Sequence, residues 1–220
     1  MAIITKIKNF ILDGLLVVFF HIGIIFSLLY GLKIHRYITA YGNSFYSGWV
    51  FSSFKACGEN LTLKSSTKIR GLKYIIIGDD FIAGSRLRLE AIDKFLVEIY
   101  SPLIYIGNNV NINDDCHIGC IDGIEIGDGV LIASKVLIID HFHGDANLNS
   151  IMYAPLERPL VSRGKIKIGN NVWIGEGVVI MPGVNIGDNC IIGANAVVTK
   201  SFGVNSVIGG NPAKLIKYLD

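Results

Sequence analysis

"IGNNVWIGEGVVIMPGVNIGDNCIIGANAVVTK", residues 168–200, carries a beat that decides the fold. Ile168, Ile174, Ile180, Ile186, Ile192 and Val198 stand at an unbroken spacing of six. Four residues after each of the first five comes a second, smaller apolar residue: Val172, Val178, Val184, Cys190 and Ala196. A helix repeats about every 3.6 residues and a plain strand roughly every second one, so neither gives this pattern. A period of six fits a short strand and a tight corner, repeated. One aliphatic points into a narrow core, a small residue fits the corner, and Gly or Asn tolerates positive φ there. Three such units would close one triangular coil. The repetition predicts a parallel β-helix, in which each coil buries its neighbour. A β-sandwich would need alternation and irregular hairpin spacing, and gives no reason for a strict six.

Upstream the same frame appears as Ile106, Ile112, Ile118 and, after a two-residue slip, as Ile126, Ile132, Ile138. A weaker version, Ile77, Ala83, Leu89, precedes both. Cys116 and Cys190 fall on the small-apolar position, so both read as core and not as nucleophiles or ligands. Between residues 139 and 165 the beat is lost for a whole loop. That loop opens with Asp140, His141, Phe142 and His143, and so holds two of the chain's five histidines. Long irregular insertions of this kind are often functional.

The bulk composition bounds the rest. The 220 residues are 51% hydrophobic and 17% charged, enough for one domain with a full core and a modest appendage. A net charge of +2 argues against a nucleic-acid surface. The four cysteines form no CxxC pair and suit a reducing compartment. Residues 14–32, "GLLVVFFHIGIIFSLLYGL", are nearly all apolar, with Lys6 and Lys8 before them and Lys33 and Arg36 after. About 20 such residues span a bilayer as a helix. Residues 1–40 therefore read as a hydrophobic, membrane-associated segment and 41–220 as the repeat domain, with a looped-out insertion at 139–165. The alternative for the first segment is a helix packed on the protein or lying at a membrane surface.

The stretch quoted above, followed by "VIGGNPAKLIK" and preceded by "IGDGVLIASKVLIIDHFHG", resembles the hexapeptide-repeat acyltransferases. Within them it is similar to the acetyl-CoA-dependent sugar O-acetyltransferases, of the galactoside and maltose type and those that decorate lipopolysaccharide O-antigen or capsule sugars. The resemblance covers residues 105–217 well, the upstream coils loosely and the N-terminal segment hardly at all. It implies an all-β, left-handed parallel β-helix, a homotrimer, and active sites in clefts between subunits. It also implies acetyl-CoA as acyl donor, a carbohydrate acceptor, and no metal.

The same resemblance assigns residues. His141 matches the catalytic histidine, and a neutral imidazole is a suitable base for a sugar hydroxyl. Asp140 is a candidate to orient that ring or to cap the turn. His143 is an acceptor-pocket residue and the second candidate base. Asn113 falls near the acceptor-binding asparagine, with His117 a weaker candidate and Asp114 better read as a solvated surface carboxylate. Trp173, Ala194, Thr199, Lys200, Lys214 and Lys217 match positions that contact the cofactor. Lys214 and Lys217 keep the charge of the arginines often found there and lose their bidentate geometry. Three rivals remain beside this reading. One is N-acetylation of an amino-sugar nucleotide. Another is a metal enzyme of the γ-carbonic-anhydrase kind, for which only His117, His141 and His143 are available. The third is a non-catalytic trimeric scaffold. Since acetyl-CoA is cytoplasmic, the protein is expected in the cytoplasm, at the inner face of the cytoplasmic membrane.

Overall fold

The computed structural model describes residues 2–148 and 150–219. The chain divides into two compact units, residues 1–42 and 43–220. In the second unit, short strands follow one another onto three sheets in strict rotation. The first runs from Ala56–Cys57 through Ile104–Ile106 and Ile166–Ile168 to Asn185–Ile186. The second begins at Thr62–Leu63 and passes through Asn111–Ile112 and Trp173–Ile174 to Ser206–Gly209. The third begins at Lys68–Arg70 and passes through His117–Cys120 and Leu137–Ile139 to Val197–Val198. Within each sheet these strands pair in parallel, so the chain winds as a three-sided parallel coil. This is the architecture that the period of six predicts.

The registers show what the beat encodes. Ile77, Ile106, Ile126, Ile168 and Ile186 stack directly on one another in the first sheet. Ala83, Ile112, Ile132, Ile174, Ile192 and Ile208 do so in the second. Leu89, Ile118, Ile138, Ile180 and Val198 form the third stack. All are essentially fully buried, as are Cys116 and Cys190. Burying an aliphatic of this size contributes about 1.5–3 kcal/mol, so the stacks are the main favourable term.

The Ile-Gly-Asn/Asp-Asn/Asp pattern has its own account. At the corner after the first sheet, Oδ1 of Asp79, Asn108, Asp128, Asn170 and Asp188 each accepts from a backbone amide of the preceding coil, at 2.7–2.8 Å. The next corner residue takes positive φ, at Asn171 (54°), Asn189 (58°) and Asn205 (58°). Side-chain amides link these three in turn, at 3.4 and 3.0 Å. Asparagine suits the site because its short side chain tolerates left-handed backbone.

The all-β expectation needs correction, because two helices precede the coil: α1 (Ala2–Leu29) and α2 (Leu32–Phe51). The apolar run read as residues 14–32 is not one helix, since α1 ends at Leu29 and Gly31 lies between the two. Residues 43–51 of α2 belong to the second unit and close the open end of its first coil. Ser47 is buried; its hydroxyl accepts from the Leu63 amide at 2.8 Å and donates to the Asn43 carbonyl at 2.8 Å. Tyr46 donates to the Thr67 carbonyl, and Asn43 accepts from the Ser65 amide. Helical residues thus cover groups that an uncovered sheet end would leave unpaired. In the first unit, Lys8–Leu29 is a 22-residue stretch with mean hydropathy 2.3 and no buried residue, long and apolar enough to cross a membrane.

Candidate active site

Four successive coils depart from the six-residue beat at one corner, the one that follows the third sheet, the first of them by a 3-10 turn at Leu72–Tyr74 after Lys68–Arg70. After Arg88–Ala91 the chain makes a small hairpin of Lys94–Phe95 with Glu98–Ile99. After His117–Cys120 it takes the extra turn at residues 121–123. After Leu137–Ile139 it leaves in the long insertion, where His141–His143 pairs antiparallel with Leu160–Ser162. Glu90, Gly119 and Ile139 are in register, so the departures stack. They are also tied together: the Tyr100 hydroxyl donates to the Leu160 carbonyl and accepts from its amide, and the Phe95 ring meets His143 edge-on at 5.3 Å.

The extra turn makes a cradle for Asp140, which is completely buried. One carboxylate oxygen accepts from the Ile121 amide at 2.9 Å and the other from Asp122 at 2.9 Å and Gly123 at 2.8 Å. The Cys120 thiol donates to it as well, at 3.2 Å. Burial alone would raise the Asp140 pKa, yet the His141 ring and the Ile121 and Asp122 amides outweigh it and hold the carboxyl below its usual range. Burial, with the Asp140 charge beside it, pushes the Cys120 thiol up, so it stays protonated and acts as a donor. Of Asp140's two proposed roles, orienting the ring and closing the turn, the geometry contains both contacts.

The remaining partner of Asp140 is His141, whose Nδ1 lies 3.0 Å from Oδ1. An ionised carboxylate only accepts, so Nδ1 carries the hydrogen and the neutral ring keeps its lone pair on Nε2. The ring is nearly buried, with its side chain 11% exposed. A base held this way has a fixed tautomer and a counter-charge for its protonated form. Beside it stands His117, whose Nε2 donates to Glu90 Oε2 at 3.0 Å. Arg88 donates to the same Glu90 oxygen at 2.6 Å. Burial and the Arg88 charge lower the His117 pKa against the pull of Glu90, which keeps that ring neutral at pH 7. Gly119 leaves room for the two imidazoles: a Cβ there would sit 3.3 Å from both His117 Nε2 and His141 Cε1.

His143 lies two residues further along the strand, about 7 Å from His141, and its ring contact is Phe95. Asn113 is exposed at the corner between the second and third sheets, on another side of the coil from His141. Asp114 there accepts from the Ser85 amide at 2.6 Å and lies 3.5 Å from Lys64, a structural role at the corner. Trp173, 52% exposed, stands on the second sheet in one row with Ile191, Val207 and Lys217. Three strand spacings separate it from Lys217, about 14 Å. Lys214 pairs with Gly209 on the same final hairpin, and Ala194 is exposed at the corner of that sheet. Thr199 and Lys200 follow Val198 at the corner of His141, two coils further on, about 10 Å away. The proposed residues thus fall on two sides of one coil. Among the described residues, no group of three His, Cys, Asp or Glu is placed to hold a metal ion.

Sequence reasoning missed Glu90, Gly119, Cys120 and the cradle at 121–123. The signal for the cradle was present, since Ile118 and Ile126 are eight apart where the beat requires six.

The family model "Bacterial transferase hexapeptide (six repeats)" matches residues 165–200. The chain is 40% identical over 152 residues to "Putative lipopolysaccharide biosynthesis O-acetyl transferase WbbJ" of Escherichia coli K12, which covers 68% of this chain and 74% of that protein. Among solved structures it is similar to a galactoside acetyltransferase in complex with coenzyme A, at 30% identity and TM-score 0.50, over 79% of this chain and 69% of the other. It also shares its fold with AntD, an N-acyltransferase from Bacillus cereus in complex with dTDP and 3-hydroxybutyryl-CoA. There the TM-score is 0.64 at 22% identity, over 81% of this chain and 91% of the other.

Proposed function

This chain belongs to the hexapeptide-repeat transferases, and on that premise we propose that it moves the acetyl group of acetyl-CoA to a hydroxyl of a surface-polysaccharide sugar or its precursor. The observation that carries this reading is the Asp140–His141 pair, an imidazole held through Nδ1 by a buried, amide-bound carboxylate so that Nε2 is left to act as the base. In the proposed step Nε2 takes the hydroxyl proton as the sugar oxygen attacks the thioester carbonyl. The carbon–oxygen bond forms, the carbon–sulfur bond breaks, and the proton passes to the departing CoA sulfur. Asp140 stabilises the imidazolium between these events. The likeness to a CoA-bound galactoside acetyltransferase supports donor and acceptor class alike. The test is to compare acetylation of surface polysaccharide in cells with and without this chain. Unchanged O-acetyl content, together with no acetyl-CoA binding by the purified protein, would refute the reading.

The coil is proposed to wind left-handed and to assemble as a homotrimer. Support for assembly is the separation just described: Asn113, Trp173, Ala194, Lys214 and Lys217 lie away from His141 on one copy, and a neighbouring copy would supply them. Lys214 and Lys217 are proposed to meet CoA phosphates; both are exposed, and neither enters an ion pair among the described residues. Lys217→Glu is therefore expected to weaken acetyl-CoA binding about tenfold and dephospho-CoA binding less. Equal weakening of both ligands would show that the residue acts through packing.

The stretch Lys8–Leu29 is proposed to hold the enzyme at the inner face of the cytoplasmic membrane, where a lipid-linked glycan would be concentrated. Because the second compact unit starts at Asn43, a chain beginning at Ala40 should leave the membrane fraction, sediment as a trimer and still bind acetyl-CoA. Full-length protein found wholly in the soluble fraction would overturn the membrane claim. Loss of the trimer on truncation would make residues 1–39 part of the assembly instead.

A further inference from the structure

The strand pair that carries His141 also walls a second feature, which the proton transfer does not use. Phe142, His143, Asp145, Arg158 and Arg163 line a cavity of about 300 Å³ beside the base. Its two arginines enter no ion pair among the described residues. Arg158 Nε donates to the Tyr153 carbonyl at 2.9 Å, which fixes the guanidinium and leaves its terminal nitrogens as donors. The Arg163 guanidinium lies over the Phe142 ring, 5.4 Å from its centroid. Asp145 is the one carboxylate in the lining, against two guanidinium groups and an imidazole. Two planar donor forks lining one space are suited to an anion with several oxygens, and phosphate matches that chemistry better than a lone carboxylate.

The position says which anion. The CoA phosphates are already assigned to Lys214 and Lys217, supplied by a neighbouring copy, whereas this cavity has arginines of its own and lies at the corner of the insertion. Its walls continue the base's own strand: from His141 to His143 is about 7 Å, the scale of one sugar ring. An anion here would be attached to the sugar whose hydroxyl reaches His141. We propose that the acceptor is a sugar carried on a diphosphate, with the diphosphate seated on Arg158 and Arg163 beside His143. This rests on the acetyltransferase reading and narrows its substrate to an activated sugar, against a free one.

Nucleotide-linked and lipid-linked sugars share that chemistry, and the test separates them. Full-length protein in detergent, saturated with CoA so that the donor site is filled, is titrated by calorimetry with inorganic pyrophosphate, uridine diphosphate and farnesyl diphosphate. Pyrophosphate is expected to bind alongside CoA, and Arg163→Gln to weaken it about tenfold or more. Arg163→Lys should recover part of that loss, because it restores charge without the fork. Arg158→Gln should behave like Arg163→Gln. Should its loss of the Tyr153 contact unfold the loop, Arg163→Gln carries the test alone. Tighter binding of uridine diphosphate than of pyrophosphate supports a nucleotide carrier, and tighter binding of farnesyl diphosphate supports a lipid carrier. No binding of any probe in the presence of CoA, or equal binding by Arg163→Gln and the parent chain, overturns the proposal. Failure of CoA itself to bind would instead sink the acetyltransferase reading, and is seen separately in the first titration.

Discussion

His141→Ala is expected to lower kcat by roughly a hundred- to ten-thousandfold, the range general-base catalysis contributes, with acetyl-CoA affinity nearly unchanged. Nothing about donor binding should alter, because the ring's hydrogen-bond partner is Asp140 and none of the proposed donor-site residues touches it. The informative comparison is His143→Ala. That ring packs edge-on against Phe95 and has no carboxylate partner among the described residues. Its removal should cost less in kcat and show mainly in acceptor KM. Steady-state kinetics on both variants, with donor affinity measured separately, decide the point. A larger kcat loss for His143→Ala would move the base two residues along the strand and leave Asp140 without a catalytic purpose.

That contrast marks what the sequence made legible. The stacked aliphatics were readable because each coil contributes one inward residue per side, and inward residues repeat whatever the outward ones do. Ile168, Ile174 and Ile180 announce three sides of one coil in succession. The beat cannot say which corner an outward residue occupies relative to another many coils away, since each departure adds residues without adding a coil. Hence Trp173 and Thr199, one set by sequence, stand on different sides. Helical residues 43–51 were hidden for another reason: Ser47 and Tyr46 face a sheet end and not a sheet face, so no repeat marks them. The histidine loop was visible as lost rhythm. What it docks into was visible only as two surplus residues after Ile118, which gain meaning once Gly119 and Ile139 are known to be neighbours.

Asp140→Asn should be at least as damaging as losing the base, although it keeps size and shape. Three backbone amides and the Cys120 thiol point hydrogens at this side chain, and His141 adds a fifth donor. An ionised carboxylate accepts from all of them; an asparagine has a single acceptor oxygen and two hydrogens of its own. If that oxygen serves the cradle, the amide NH₂ faces His141, drives the ring's proton to Nε2 and removes the base. If it serves His141, hydrogens collide with the amides of residues 121–123. Either arrangement loses, so kcat should fall on the order of a thousandfold or more, and stability by about 1–3 kcal/mol. The pH dependence separates this from general damage. In the parent chain the folded carboxyl lies below its unfolded value. Its contribution is therefore fully present above the unfolded pKa and is lost as pH falls through the folded one. Asparagine does not titrate, so the variant should be less stable at neutral pH while losing less on acidification. Denaturant midpoints between about pH 3 and 7 would show the two curves converging towards acid. Parallel curves, or a kcat within tenfold of the parent, would mean that the buried carboxylate neither fixes the histidine nor holds the corner.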